Sequence, residues 1–301
     1  MAETDDGPAK TPGKAQGRAA RERLDLLLLR RGLAPTRERA RALIMAGVVR
    51  VDGKTAPKAG ALVAIGASIE IVAQPAESRY VSRGGLKLEH ALAEFQLDPT
   101  DLVCLDVGAS TGGFTDVLLR AGARRVYAVD VGYGQLAWSL RTDPRVVTME
   151  RTNIRALTTL PDVVDAAVVD VSFISLRLVL PPVAALLAPH GWAVALVKPQ
   201  FEAGRAEADR GAGVIADPEV HLRVLRDLLL WLEEWPLRAP GVQPLTARRL
   251  VGSPIAGREG NHEYLLELVA EPDAAPSVPL DDAALRRIIE KTHASMATAE
   301  G

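Results

Sequence analysis

The run Trp192-Ala-Val-Ala-Leu-Val-Lys198 is apolar until it ends on a lysine, and Pro199 follows at once. The run Asp165-Ala-Ala-Val-Val-Asp170 ends on a carboxylate in the same way. Parallel strands buried on both faces read as such continuous apolar runs, and ligands of open α/β sheets sit beyond their carboxyl ends. A lysine and a carboxylate released at neighbouring strand ends can take up a proton and orient the group that does so. Either one alone is equally a salt bridge on the rim of a domain; both together beside a ligand loop favour function. Two more charges join them. Lys87, in SRGGLKLEHAL, falls in the first turn of a helix, where the dipole disfavours a cation by about 0.3–1 kcal/mol, a cost that a solvated lysine also tolerates. Glu263, in GNHEYLLELVA, opens what would be the last strand of the domain. If that strand is antiparallel, it begins on the edge where the parallel strands finish, beside Asp170 and Lys198.

The loop these charges would face is LDVGASTGGFTDVLL, which follows an apolar strand and enters a helix. Its glycines, Gly108, Gly112 and Gly113, let a backbone approach a ligand where a Cβ would collide. A dinucleotide turn needs G-x-G-x-x-G, and residue 110 is Ser where the second glycine should stand. Asp106-x-Gly108-x-x-x-Gly112 instead puts a carboxylate at the strand end, which suits a cationic amino-acid group better than a diphosphate. S-adenosylmethionine carries such an ammonium. Asp130, at the tip of the next strand, is placed to accept from ribose hydroxyls. The plain alternative is a glycine turn with a capping Asp. Asn153 is a candidate adenine contact and equally a turn-favouring Asn. The cofactor set read from the sequence is Asp106, Gly108, Ser110, Gly112, Gly113, Phe114, Asp130, Asn153 and Asp170. Phe173 and Phe201, beside the charged strand ends, either stack on a base or pack in the core. Ser172 and Ser175 read as caps of the next helix. His221 lies on a helix with no matching Cys or His spacing, so no metal site is expected.

The elements that position these residues follow from periodicity. From Leu88 onward the pattern is strand, glycine turn, helix, strand, a βαβ unit that begins a parallel sheet. Before it, Leu24, Leu27 and Leu28 predict one helix, and Thr36 as N-cap opens a second that buries Ala40, Leu43 and Ile44 and ends at Gly47. VVRVDGK then predicts a hairpin at Asp52-Gly53. Arg37 and Arg41 lie four apart on the second helix with Arg39 beside them, a row of guanidinium groups suited to phosphates. Arg23, Lys54 and Arg83 complete the set expected to meet phosphates.

The chain has 301 residues, 48% hydrophobic and 25% charged, a composition for roughly two globular domains. Its net charge of −2 hides an asymmetry: residues 1–87 hold 16 Lys and Arg against 9 Asp and Glu, the remainder 20 against 29. A basic front on an acidic body suggests that the front meets a polyanion. The only cysteine, Cys104, excludes a disulfide framework and fits a reducing compartment. No apolar run reaches the ~18 residues of a membrane span, and the first residues lack the apolar core of a signal peptide.

The front, from Arg21 to Val72, resembles the S4 RNA-binding fold. Behind it YVSRGGLKLEHAL, LDVGASTGGFTD, VYAVDVGYGQL, DVSFISL, LVKPQFE and IAGREGNHEYLLE occur in order. Together they closely resemble the TlyA family of ribosomal RNA 2′-O-methyltransferases, whose body is FtsJ/RrmJ-like, over roughly Arg21 to Val269. The resemblance implies a Rossmann-like class I S-adenosylmethionine-dependent methyltransferase, α/β with a mostly parallel seven-stranded sheet, behind a small α+β S4 domain. The implied division is a disordered tail over 1–20, the S4 domain over 21–72, a linker over 73–85, the methyltransferase domain over 86–272, and a tail with a short helix over 273–301. It further implies a Lys-Asp-Lys-Glu set at Lys87, Asp170, Lys198 and Glu263, acting on cytidine ribose in 16S RNA, 23S RNA or both. Within that set Lys198 is expected to act as the base with Asp170 orienting it, Lys87 to position the hydroxyl or its phosphate, and Glu263 to steer a lysine. A monomer in the cytoplasm, working on ribosomal RNA or subunits without membrane or metal, is expected. Some members carry a haemolysin label, and the sequence offers no membrane segment for such an activity. A noncatalytic RNA-binding assembly factor would show a broken set, whereas all four positions are filled.

Overall fold

The computed structural model describes residues 20–34, 36–45, 47–56, 58–71, 79–204, 207, 213–235, 243–257, 259–271 and 280–299. The expected tail before residue 20, residues 73–78 of the expected linker and residues 273–279 lie outside them. The chain divides into two compact units, Met1–Glu77 and Ser78–Gly301.

In the first unit β1 (Arg21–Arg23) runs directly into α1 (Leu24–Arg30), and α2 (Arg37–Met45) follows. Leu24 and Leu28 are fully buried and meet Ala40 and Ile44 of α2 in one core. Each buried leucine contributes about 1.5–3 kcal/mol. β2 (Val49–Val51) and β3 (Lys54–Thr55) form the expected hairpin, with Val51 opposite Lys54. Asp52 and Gly53 both have positive φ, 50° and 78°, as a two-residue type I′ loop requires. β4 (Leu62–Ala64) pairs antiparallel with β1, and β5 (Ile69–Ile71) with β2. Arg-Glu-Arg carries no strand signal of its own; β4 supplies the edge that extends it.

The second unit contains α3 (Gly85–Phe95), β6 (Val103–Val107), α4 (Gly113–Arg120), β7 (Arg125–Val129), α5 (Trp138–Arg141), β8 (Val146–Met149) and β9 (Val164–Val169). It continues through α6 (Leu176–Leu186), β10 (Leu187–Val197), α7 (Pro199–Glu202), α8 (Pro218–Glu233), β11 (Thr246–Gly252), β12 (Tyr264–Val269) and α9 (Asp282–Ala299). One seven-stranded sheet runs β11-β12-β10-β9-β6-β7-β8. From β10 to β8 every neighbouring pair is parallel, and β12 is antiparallel to both β10 and β11. Alternation sorts β6 between two cores: Val103, Leu105 and Val107 pack with residues of α6 and α8, while Cys104 packs with residues of α3 and α4. Central strands covered on both faces are why β6, β9 and β10 read as unbroken apolar runs.

Two expectations differ from the structure. The described end of the expected linker is packed into this unit: Tyr80 is buried in the α3–α4 core, and Val81 N donates to Asp116 Oδ2 at 2.8 Å. One aromatic anchor carries no period, so the stretch reads as linker. The tail helix, expected to be short, is α9 with 18 residues, packed on α8 and β11 through Ala284, Leu285, Ile289 and Thr292. Among the described residues no helix is long and apolar enough to cross a membrane. Leu285 is fully buried, so Leu285→Ala should lower stability by about 2–5 kcal/mol, seen as a lower urea midpoint at unchanged m-value.

Candidate active site

Three parallel strands deliver their ends to one edge. Asp170 follows the last residue of β9 and Lys198 the last residue of β10, while Gly108 follows β6. β12 runs the other way, and its register sets Tyr264 opposite Val197, so Glu263 enters at the edge where Lys198 leaves. Lys87 comes from the first turn of α3. The four charges form two ion pairs. Lys87 Nζ donates to Glu263 Oε2, and Lys198 Nζ lies 2.6 Å from Asp170 Oδ1. Lys87, Lys198 and Glu263 are only 8, 9 and 3% exposed. Removing two charges from water costs about as much as their attraction returns, so buried pairs are weak evidence for stability. Their concentration at a sheet edge is better explained by chemistry.

The glycine turn is held by its own protein before any ligand is considered. Gly108 has φ 86°, and a Cβ there would stand 2.3 Å from the Asp170 carbonyl oxygen, so the turn packs directly on the strand end that carries the carboxylate. A Cβ on Gly113 would meet Ser82 Oγ at 2.4 Å and Gly85 N at 2.9 Å, which brings α4 against the start of α3. The expectation that these glycines serve ligand approach is thus incomplete, since packing between protein segments already demands them. Gly112 is the N-cap of α4. Phe114, an expected cofactor residue, has its side chain buried in the α3–α4 core.

Asp106 is fully buried; its Oδ2 accepts from Thr115 Oγ1 at 2.6 Å, and its Oδ1 is buried with no hydrogen-bond partner. Burial, with the nearby Asp170 and Asp130 charges acting the same way, pushes its carboxyl up to about 7 against the Thr115 hydrogen bond. Asp130 accepts from Ser110 N at 2.8 Å and Gly132 N at 2.6 Å. It lines a cavity with Ala109, Ser110, Gln135, Leu136, Thr148 and Glu150. Asn153 does not line that cavity. It is exposed, and its side chain caps a short 3-10 turn by accepting from Arg155 N at 3.0 Å, the turn-forming alternative. Gln135, Thr148 and Glu150 carry no sequence signal beyond proximity to the strand ends, and they were missed.

Around Lys198 the structure decides between two further readings. Phe173 is 90% exposed, has φ 64°, and lies 4.9 Å from the Phe201 ring, so it is not a core residue. Ser175 caps α6 as expected, accepting from Arg177 N at 3.2 Å, but Ser172 does not: its hydroxyl accepts from Lys198 Nζ at 3.0 Å. His221 is buried between Tyr264 Oη at 2.6 Å and the Ile215 carbonyl at 2.8 Å, and burial pushes its imidazole down to about 4. No cluster of three or more His, Cys, Asp and Glu among the described residues is arranged to hold a metal.

In the first unit Arg23, Arg37 and Arg41 converge on one fully buried carboxylate, Asp25, which the sequence reading missed. Arg23 Nη2 lies 2.9 Å, Arg37 Nε 3.0 Å and Arg41 Nε 3.3 Å from Asp25 Oδ2. Arg23 first, then Arg37 and Arg41, hold the Asp25 carboxyl well below its usual range against the effect of burial. The three arginine side chains remain 40 to 50% exposed. The Arg39 side chain lies outside the described residues; Lys54 and Arg83 are exposed.

Comparison with known proteins gives this geometry a family. An FtsJ-like methyltransferase model matches residues 80–268, and an S4 domain model matches residues 22–69. The chain is 45% identical over 277 residues to the 16S/23S rRNA (cytidine-2′-O)-methyltransferase TlyA of Mycobacterium tuberculosis, covering 90% of this chain and 99% of that protein. It is 37% identical over 250 residues to Hemolysin A of Brachyspira hyodysenteriae, covering 82% of this chain and 99% of that protein. A solved structure of a hemolysin-named protein from Streptococcus thermophilus matches with TM-score 0.68 and 40% identity, over 94% of this chain and 99% of that one. The chain belongs to the FtsJ-like methyltransferase family, among the TlyA-type members that carry an S4 domain ahead of the methyltransferase domain.

Proposed function

We propose that this protein transfers a methyl group from S-adenosylmethionine to the 2′-hydroxyl of a cytidine in ribosomal RNA, 16S, 23S or both, in the cytoplasm. Residues 21–72 capture the RNA and residues 86–272 carry the reaction. The observation that carries this reading is the pair of lysine–carboxylate contacts made by two buried lysines, Lys87–Glu263 and Lys198–Asp170, at the sheet edge that also bears the Gly108 turn.

The residues present fit the cofactor. Asp106 Oδ1 is a buried acceptor without a partner, two residues before Gly108, and an ammonium group would complete it. Asp130 and Glu150, between the apolar walls Ala109, Ala128 and Leu136, suit a nucleoside with its ribose diol on Asp130. When bound, S-adenosylmethionine supplies a methyl group on a sulfonium, an electrophile for in-line attack. A ribose 2′-hydroxyl is a poor nucleophile at neutral pH, so the protein must take its proton. Lys198 serves as that base and Asp170 orients it. Lys87, steered by Glu263, positions the hydroxyl or the neighbouring phosphate. Phe173, exposed beside them, offers its face to the target base. The Arg23, Arg37 and Arg41 set meets RNA phosphates with its outward N–H groups.

Lys198→Ala should abolish methyl incorporation into ribosomal RNA while S-adenosylmethionine still binds; near-normal turnover would remove Lys198 from the role of base. A bound ammonium favours the ionised form of Asp106, whose carboxyl stands near 7, so binding releases a proton below that pH. Cofactor affinity should therefore rise with pH up to about 7 and fall again as the ligand's own ammonium loses its proton at ~8. Calorimetry at pH 6 in buffers of different ionisation enthalpy should detect close to one proton released by the parent and none by Asp106→Asn. RNA affinity should fall steeply with salt, and Arg37→Gln with Arg41→Gln should flatten the log–log slope by roughly 0.7–0.9 for each phosphate no longer neutralised. An unchanged slope would place RNA elsewhere.

A further inference from the structure

A lysine amine turns about its terminal C–N bond, and a single acceptor leaves two of its three outer directions free to exchange. Lys198 Nζ donates to Ser172 Oγ at 3.0 Å and forms an ion pair with Asp170 Oδ1 at 2.6 Å. With the hydroxyl on one side and the carboxylate on another, a third group reaches Nζ only from the side that remains.

We propose that Ser172 is a positioning residue for methyl transfer: by accepting one N–H of Lys198 while the Asp170 carboxylate holds Nζ from another side, it aims the remaining direction of Nζ at the hydroxyl to be deprotonated. This rests on Lys198 being the base. In the neutral amine that direction holds the lone pair. The 2′-O–H bond breaks and its proton joins Nζ, the oxygen forms its bond to the methyl carbon, and the carbon–sulfur bond breaks with its electrons passing to sulfur. The resulting ammonium keeps its contacts with Asp170 and Ser172 and later gives the extra proton to water. Ser172 remains a neutral hydroxyl throughout.

Ser172 is exposed, and two further contacts hold the loop that carries it against the segment that follows Lys198. Glu202, four residues after Lys198, accepts from Ser175 Oγ at 2.6 Å and from Leu176 N at 2.7 Å, which ties the loop of Ser172 to the segment that follows the lysine. The Phe173 ring meets Phe201 across the same seam. Phe173, directly after Ser172, holds a left-handed φ of 64°, a conformation that a bulky residue keeps only where its surroundings fix it.

The test is the single-turnover rate of transfer of a radiolabelled methyl from S-adenosylmethionine into 16S and 23S RNA and into purified subunits. It is followed from pH 6 to 9 for the parent, Ser172→Ala, Ser172→Thr and Lys198→Ala. Loss of one orienting contact should slow Ser172→Ala by about tenfold, with KM for RNA, cofactor affinity and melting temperature unchanged. Ser172→Thr, which keeps the hydroxyl, should stay within about twofold of the parent on the same grounds. Because the hydroxyl accepts from the ammonium more strongly than from the amine, Ser172→Ala should also move the acidic limb of the pH–rate profile to lower pH. A parent-like rate and limb in Ser172→Ala, with Lys198→Ala inactive, overturns the role of Ser172 and leaves the base in place. A loss in Ser172→Ala that follows melting temperature or cofactor affinity also overturns it. Near-normal turnover in Lys198→Ala removes the base and the role of Ser172 with it.

Discussion

A fold that buries a lysine must bring it a carboxylate, and this one does so twice at the same place. Lys87 and Glu263 are 176 residues apart in sequence, and Lys198 and Asp170 are 28 apart, yet both pairs lie at one sheet edge. The reversal of β12 within the sheet meets this requirement for Lys87. A parallel last strand would release its end where the others do and begin at the opposite edge. The antiparallel β12 instead begins where β10 ends, so Glu263 arrives without a further crossover. Replacing such pairs by apolar residues of similar volume is often neutral or stabilising. Stability alone therefore does not account for their presence.

Residues whose meaning lies in the strand pattern were readable in the chain. An apolar run that ends in Lys198 or Asp170 reports both a buried parallel strand and the edge at which its charge emerges. Glu263 needed one topological condition, an antiparallel last strand, which the structure meets. Residues whose meaning lies in tertiary contact were not readable. Ser172 and Ser175 stand three apart and look alike as caps; only the position of β10 gives one of them to Lys198. Asn153 looked equally like a ligand contact and a turn residue, and its carbonyl oxygen is engaged by Arg155 N. Gly108 and Gly113 looked like room for a ligand, whereas the Asp170 carbonyl and the start of α3 already occupy the space a side chain would need.

The S4 unit uses the same economy of charge with the sign reversed. Asp25 sits among the leucines of α1, where a carboxylate has no place unless cations reach it, and three guanidinium groups do. One anion thereby gathers three cations that would otherwise repel each other, and it fixes their planes while their outer N–H groups stay in solvent. A phosphate contact made by such a set carries orientation rather than sequence information.

Phe173 holds a bulky side chain on a left-handed backbone in the open, a state that costs of order 1–3 kcal/mol. Glycine at that position would relieve the strain and remove the ring. A search for a sturdier version of this enzyme by thermal selection alone would thus be drawn toward the residue proposed to offer its ring to the target base, and on that proposal it would gain heat resistance by giving up activity. Engineering of this scaffold therefore needs activity as a second criterion at the mouth of the site, even though changes on the remote face of the sheet can be judged by melting temperature.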